Sequence, residues 1–330
     1  MNRITARLVH TRIVPLALAL ALAAVLCAGA QAAGGPPSVY MSAGKSGVVS
    51  PDGRSRYVTL STDHGTMLTH IATNGGRVLS APHTISGYFG VPAVAQDRTP
   101  GGLSADGRIL VLSKPYITLR QSRTTFLLFH TNRLRSPRRI TLSGAFTFDA
   151  LSPDGSKLYL TEYQSKFDPT HFAIREYNVQ AGRLLKKPIL DPTEAEEDMR
   201  GSPVTRVTSP DDRFAYTLYD GGSGTPFVHT LDTEKATTMC VDIDALADRR
   251  LGRVDLRVSD DGRTISLSDD TSPIATMETA TFVVTTPETT AGDGGSGGIP
   301  WIVLVLAGLV AAGITAAIRV VHRRRRVAAT

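Results

Sequence analysis

The chain has 330 residues, 42% of them hydrophobic, 20% charged and only 6% aromatic, with a formal net charge of +6. That balance excludes a disordered or fibrous chain, and two cysteines exclude a disulfide scaffold. The charge is segregated: Arg3, Arg7 and Arg12 precede residue 34, and Arg319, Arg323, Arg324, Arg325 and Arg326 follow residue 318, with no Asp or Glu in either segment. These eight cations exceed the net charge, so the chain between them is slightly acidic, which argues against a nucleic-acid partner.

In chain order, residues 1–33 read as a secretory signal. Three arginines form its positive start, 13–26 its apolar stretch, and Ala28-Gly29-Ala30 and Ala30-Gln31-Ala32 its small-residue cleavage sites. Residues 34–285 hold the repeats described next, and 286–298, rich in Thr and Gly, read as a linker. Residues 299–318 carry no charge and are long enough to span a hydrocarbon core. Trp301 stands at the outer end of this run and the arginines of 319–330 at its inner end, so the expectation is one transmembrane helix with the repeats outside the plasma membrane and a cytoplasmic tail. Gly308, Ala312 and Ala316 recur every fourth position in that span, a spacing that permits a homodimer in lipid.

Between the termini, one phrase occurs five times at intervals of about 50 residues. The copies are Ser50-Pro51-Asp52-Gly53, Ser104-Ala105-Asp106-Gly107, Ser152-Pro153-Asp154-Gly155, Ser209-Pro210-Asp211-Asp212 and Ser259-Asp260-Asp261-Gly262. Pro presets φ at the second place of a type I turn, Asp suits the third and Gly the fourth. Val49, Leu103, Leu151 and Val258 precede four of the copies and Thr208 the other, and further β-rich runs follow at 66–72 and 77–79, 125–130 and 139–142, and 171–179 and 183–189. Three to four strands per repeat, without a helical period between them, predict an all-β propeller. Five blades is the direct count, with six or seven left open. The strand at 39–41 or that at 281–285 is expected to complete a blade contributed by the opposite terminus.

The run Leu151-Ser152-Pro153-Asp154-Gly155-Ser156-Lys157-Leu158-Tyr159-Leu160-Thr161 resembles the repeat of YVTN-type and WD40-like β-propellers, as does Leu231-Asp232-Thr233. The same phrase occurs in TolB-like propellers and in lactonase-like enzymes, so the resemblance implies the architecture and leaves the function open.

Few residues offer chemistry. Gly294-Gly295-Ser296-Gly297-Gly298 matches a nucleophile elbow in letters alone, because it lies in the linker. His70, His130, His171 and His229 fall in third-strand regions of different blades, away from the channel, and read as ordinary histidines. Cys240, between Met239 and Val241, reads as a small buried hydrophobe. After the second strand of each blade come Asp63, Glu162, Asp220 and Asp269, with Lys114 at the corresponding place in the second blade. If the four carboxylates converged on one face, they would supply hard oxygen ligands for a divalent cation or meet a basic partner. The connections 88–101 and 191–201 are expected on a recognition face. The resulting expectation is a membrane-anchored, extracytoplasmic propeller that binds a protein or envelope ligand, with no cofactor beyond that cation. A lactonase-like metal-dependent hydrolase and a structural envelope component are the alternatives.

Overall fold

The structure is a computed structural model and describes residues 38–194, 199–270 and 272–287. The signal, most of the linker, the apolar span with Gly308, Ala312, Ala316 and Trp301, and the arginine tail lie outside the described residues. Strand β1 (Ser38–Tyr40) opens the chain, followed by the first blade, β2 (Val48–Val49), β3 (Ser55–Thr62), β4 (Gly65–Ala72) and β5 (His83–Ser86). The second blade holds β6 (Ile109–Leu112), β8 (Arg123–His130) and β9 (Arg133–Ser143), with β7 (Tyr116–Thr118) inserted between the first two. A bridge from Leu103 to Leu110 stands in for its inner strand. The third blade is β10 (Phe146–Leu151), β11 (Lys157–Tyr163), β12 (Phe172–Asn178) and β13 (Arg183–Leu184). The fourth is β14 (Pro203–Thr208), β15 (Phe214–Tyr219), β16 (Phe227–Asp232) and β17 (Thr237–Asp242). The fifth is β18 (Val254–Val258), β19 (Thr264–Asp269), β20 (Ser272–Glu278) and β21 (Val284–Thr285). All five sheets are antiparallel meanders, and the chain is a β-propeller.

Each repeated phrase builds the same turn between the innermost and second strands. The Ser hydroxyl donates to the Asp carboxylate two residues on, at 2.5–2.7 Å in all five copies. That hydroxyl also accepts the N–H five residues on, at 2.9–3.0 Å. The fourth residue donates its N–H to the Ser carbonyl at 2.8 Å and has φ between 54° and 70°, hence Gly in four copies and Asp212 in the other. One serine thus satisfies groups on both sides of the turn, which explains why the phrase persists where the flanking sequence drifts.

Neighbouring blades join by apolar clusters and by a repeated hydrogen bond. Leu68, Phe89, Leu110 and Phe129 pack the first blade on the second, and Ile109, Phe126, Phe146 and Leu158 the second on the third. Tyr159, Phe172, Tyr219 and Leu231 pack the third on the fourth, and Leu218, Val228, Leu256 and Ile265 the fourth on the fifth. The Tyr159 hydroxyl donates to the Thr233 carbonyl of the next blade at 2.8 Å, while Tyr57 and Tyr216 meet the side chains of Thr131 and Thr279 in theirs.

The terminal strands do not exchange. β21 pairs with β20 of its own blade, and β1 pairs with β7, placing Val39 opposite Ile117. The expected completion of a blade from the opposite terminus is therefore corrected. Among the described residues no apolar cluster spans the fifth and first blades. Val49 and Leu60 on one side and Asp255, Arg257 and Ser266 on the other are exposed. Every blade is built from consecutive chain, and no further strand among the described residues laces that seam.

Candidate functional site: the divided central channel

Segment 88–101 decides what the channel is. It leaves the first blade, and residues Val91, Ala93, Val94 and Ala95 are buried. The N–H groups of Gln96 and Asp97 then donate to the carbonyls of Pro203 and Val204 on the fourth blade, at 3.0 and 3.2 Å. The segment thus crosses the ring and divides it: Tyr88 at its start stays exposed, but 89–95 lie inside and not on a recognition face. A backbone crossing a channel must have its polar groups satisfied, and the inner strand of the fourth blade supplies the acceptors.

On the side of the repeated turns lies a cavity of about 480 Å³. Val48 and Val49, Leu103, Leu151, Val207 and Val258 line it, one or two from each blade. Val94 and Phe148 line both this cavity and a smaller one of about 230 Å³ on the opposite side, so the crossing segment is the floor between them. Tyr40, Tyr163, Phe172 and Tyr219 line the smaller cavity.

A buried ion pair sits in the wall of the larger cavity. The Arg206 guanidinium donates to both the backbone carbonyl and the carboxylate of Asp149, and its Nε donates to the Thr217 hydroxyl at 2.7 Å. Both side chains are almost wholly buried, at 4% and 3% exposure, and Asp149 Oδ2 has no hydrogen-bond partner. The pair ties β10 of the third blade to β14 of the fourth. The lining of the larger cavity contains no imidazole, thiol or amine. Its wall is largely apolar, with the buried ion pair on one side and the exposed Thr208 hydroxyl donating to the Asp212 carboxylate at 3.0 Å.

Behind that pair, His229 is completely buried. Its Nε2 lies 2.6 Å from the Thr238 hydroxyl, which donates to the Thr230 carbonyl at 2.8 Å. The hydroxyl's one proton is committed to that carbonyl, so His229 is neutral with the proton on Nε2, and Nδ1 is an acceptor with no partner. Burial pushes its pKa down to about 4. The unfolded chain binds a proton near pH 6.5 that the native state refuses until about pH 4. This group's contribution to stability is therefore complete above pH 6.5 and is lost as pH falls through that window. Urea midpoints should drop between pH 7 and 5.5, and the drop should shrink in His229→Gln. An unchanged slope in the variant would remove His229 as the cause.

The four carboxylates singled out in the sequence stand apart from one another, and two of them, Glu162 and Asp220, have local partners. Asp63 is exposed in the β3–β4 hairpin, and Glu162 pairs with Arg175 on the adjacent strand. Asp220 accepts the N–H groups of Ser202 and Gly222 at 2.6 and 3.0 Å, and Asp269 ends β19. No three of them come within 4.8 Å of one another. His70 stacks on Tyr57, His130 is exposed, and His171 bridges to Arg200.

The sequence did not point to the group that does converge, Asp191, Glu194 and Cys240, at a third cavity of about 220 Å³. Asp191 is buried; its carboxylate accepts the N–H and hydroxyl of Thr193 and the N–H of Cys240. Burial pushes the Cys240 thiol up to about 12. This is a structural knot holding the 191–194 segment onto β17. Glu196, Glu197 and Asp198, the further carboxylates of the connection 191–201, lie outside the described residues.

No protein-family model and no curated protein matches the chain. Solved structures do. A putative TolB from Agrobacterium tumefaciens is 16% identical over 76% of this chain and 80% of that one, with a TM-score of 0.41. A functionally unknown protein from Desulfotomaculum acetoxidans is 12% identical over 77% and 70%, with a TM-score of 0.46. The β-propeller domain of Cps50 (Swd1) from Myceliophteria thermophila is 10% identical over 78% and 70%, at 0.42. The assignment of the fold rests on the five sheets of this chain.

Proposed function

We propose that the protein is an extracytoplasmic binding propeller, carried on a single transmembrane span, whose turn-side cavity receives a ligand or a segment of a partner protein. The observation that carries this reading is the 480 Å³ apolar cavity, walled by all five blades and closed below by the crossing segment. A rigid concave apolar site built from converging inner strands is the ordinary form of a binding site. The apolar residues contributed by every inner strand favour a binding role for it. The uncharged run 299–318 followed by Arg319 and Arg323–Arg326 supports the placement of the repeats outside.

Both parts are testable in cells making the full chain. Protease added to intact, wall-stripped cells should remove the repeats and spare the tail; protected repeats would overturn the placement. A photo-crosslinking residue at Val49, on the cavity wall, should capture a discrete product that one at Val78 does not. Leu103→Arg should abolish the product while the protein still melts cooperatively. A product insensitive to that change would overturn the cavity as the binding site.

A further inference from the structure

The face opposite the repeated turns carries a surface that the cavity does not use. Tyr40, Tyr88, Tyr116 and Phe167 are 59%, 52%, 62% and 68% exposed there, and they are the only large aromatic side chains left so exposed among the described residues. Tyr40 pairs directly with Tyr116 across β1 and β7. The antiparallel bridge from Gly90 to Ser113 brings the bend carrying Tyr88 toward Pro115, and the Met41 N–H donates to the Pro115 carbonyl. Arg120, just beyond β7, lies over the Phe167 ring at 4.5 Å, and Lys114 lies over Phe89 at 4.4 Å.

Lys114, Arg120 and Arg123 stand at this end of the second blade, while Arg108, Arg133 and Arg135 lie at its turn-side end and the exposed Asp63 shares the rim face in the first blade. Desolvation, with Arg139 nearby, pushes Lys114 below the usual lysine range. Asp168, the carboxylate beside Phe167, is taken up by Thr170 and Arg200.

We infer that this rim docks on the anionic lipid headgroups of the bilayer that carries the chain. Exposed tyrosines set among lysine and arginine match a membrane interface, where the rings sit at headgroup depth and the cations meet lipid phosphate. The tether supplies proximity. Residues 286–298 separate the last blade from the apolar run, and fully extended they reach about 45 Å, so headgroups are held near the rim at high effective concentration. The inference rests on the anchoring proposed above.

The test uses the full chain reconstituted into phosphatidylcholine nanodiscs, with and without about 30% phosphatidylglycerol. Amide hydrogen exchange of the segments 38–41, 113–121 and 164–169 should slow about five-fold in the anionic discs alone. Tyr116→Ser combined with Lys114→Gln and Arg120→Gln should remove that protection and leave exchange in the fourth and fifth blades unchanged. Equal exchange in both discs, with the chain still inserted, would overturn the docking and leave the anchoring intact. A chain that a carbonate wash strips from the discs would overturn the anchoring itself and this inference with it. Protection produced on neutral discs by a soluble acidic polysaccharide would overturn lipid as the occupant, as would protection that tracks protein copies per disc.

Discussion

Replacing Asp149 with Ala should destabilise the propeller by about 3–5 kcal/mol, because the change leaves the Arg206 guanidinium buried without a counter-charge. The two residues are held in β10 and β14, so the loss acts at the interface of the third and fourth blades. For a domain of this size that loss corresponds to a melting temperature lower by about 10 °C. The mechanism predicts a second, less obvious result. Arg206→Met with Asp149→Leu removes both charges together, and it should recover most of the loss of either single change, since a buried pair of this kind returns little net stability over apolar packing. Thermal and urea unfolding of the two single variants and the double variant form the necessary cycle. A single-variant loss below about 1 kcal/mol, the value typical of an exposed pair, would mean that water reaches the site. A double variant as unstable as the sum of the singles would mean that the ion pair itself, with its link to Thr217, holds the blades together.

Gly155→Ala should cost about 3–4 kcal/mol, whereas the same change at Gly53 should cost about 1 kcal/mol. The two glycines occupy the same place in the same turn with the same φ of 69°, so the backbone strain of a left-handed alanine is common to both. Their surroundings differ. A Cβ on Gly155 would lie 2.5 and 2.7 Å from Cγ1 and Cβ of Ile109, on the first strand of the second blade, while a Cβ on Gly53 meets nothing within 4 Å. Ile109 is itself buried in the cluster between the second and third blades, so it has little room to give. Denaturant titration of both variants checks the difference. Equal losses would show that the interface relaxes around the new methyl group. Ile109→Ala in the Gly155→Ala background should recover part of the steric cost if the contact is responsible.

The contrast between these two glycines shows how far the sequence reaches. The repeated phrase specifies its own turn, because Ser, Asp and the fourth residue close every hydrogen bond within six residues of chain. Such local closure is visible in a linear sequence, and so are the all-β class, the five blades and the position of most second and third strands. The sequence also carried the segregation of charge to the two ends, which needs no folded structure to be seen.

What each repeat touches is another matter. Asp149 meets Arg206, Tyr159 meets Thr233 and Gly155 meets Ile109 because the blades wind around a common axis, and no local spacing encodes that. A polar residue in the otherwise buried strand Phe146–Leu151 was the available signal for Asp149, although it does not name the partner. The segment 88–101 resembles a surface loop by composition, yet it crosses the ring because the inner strand of the fourth blade offers acceptors for Gln96 and Asp97. Likewise Tyr40 and Tyr116 are ordinary aromatic residues until the pairing of β1 with β7 places them side by side. The sequence by itself determined the turn, the meander within most blades and the class of fold, since these follow from bonds made within a few residues. Only the tertiary structure decided the divided channel, the buried ion pair and the aromatic rim, since each depends on contacts between blades that the chain reaches at different times.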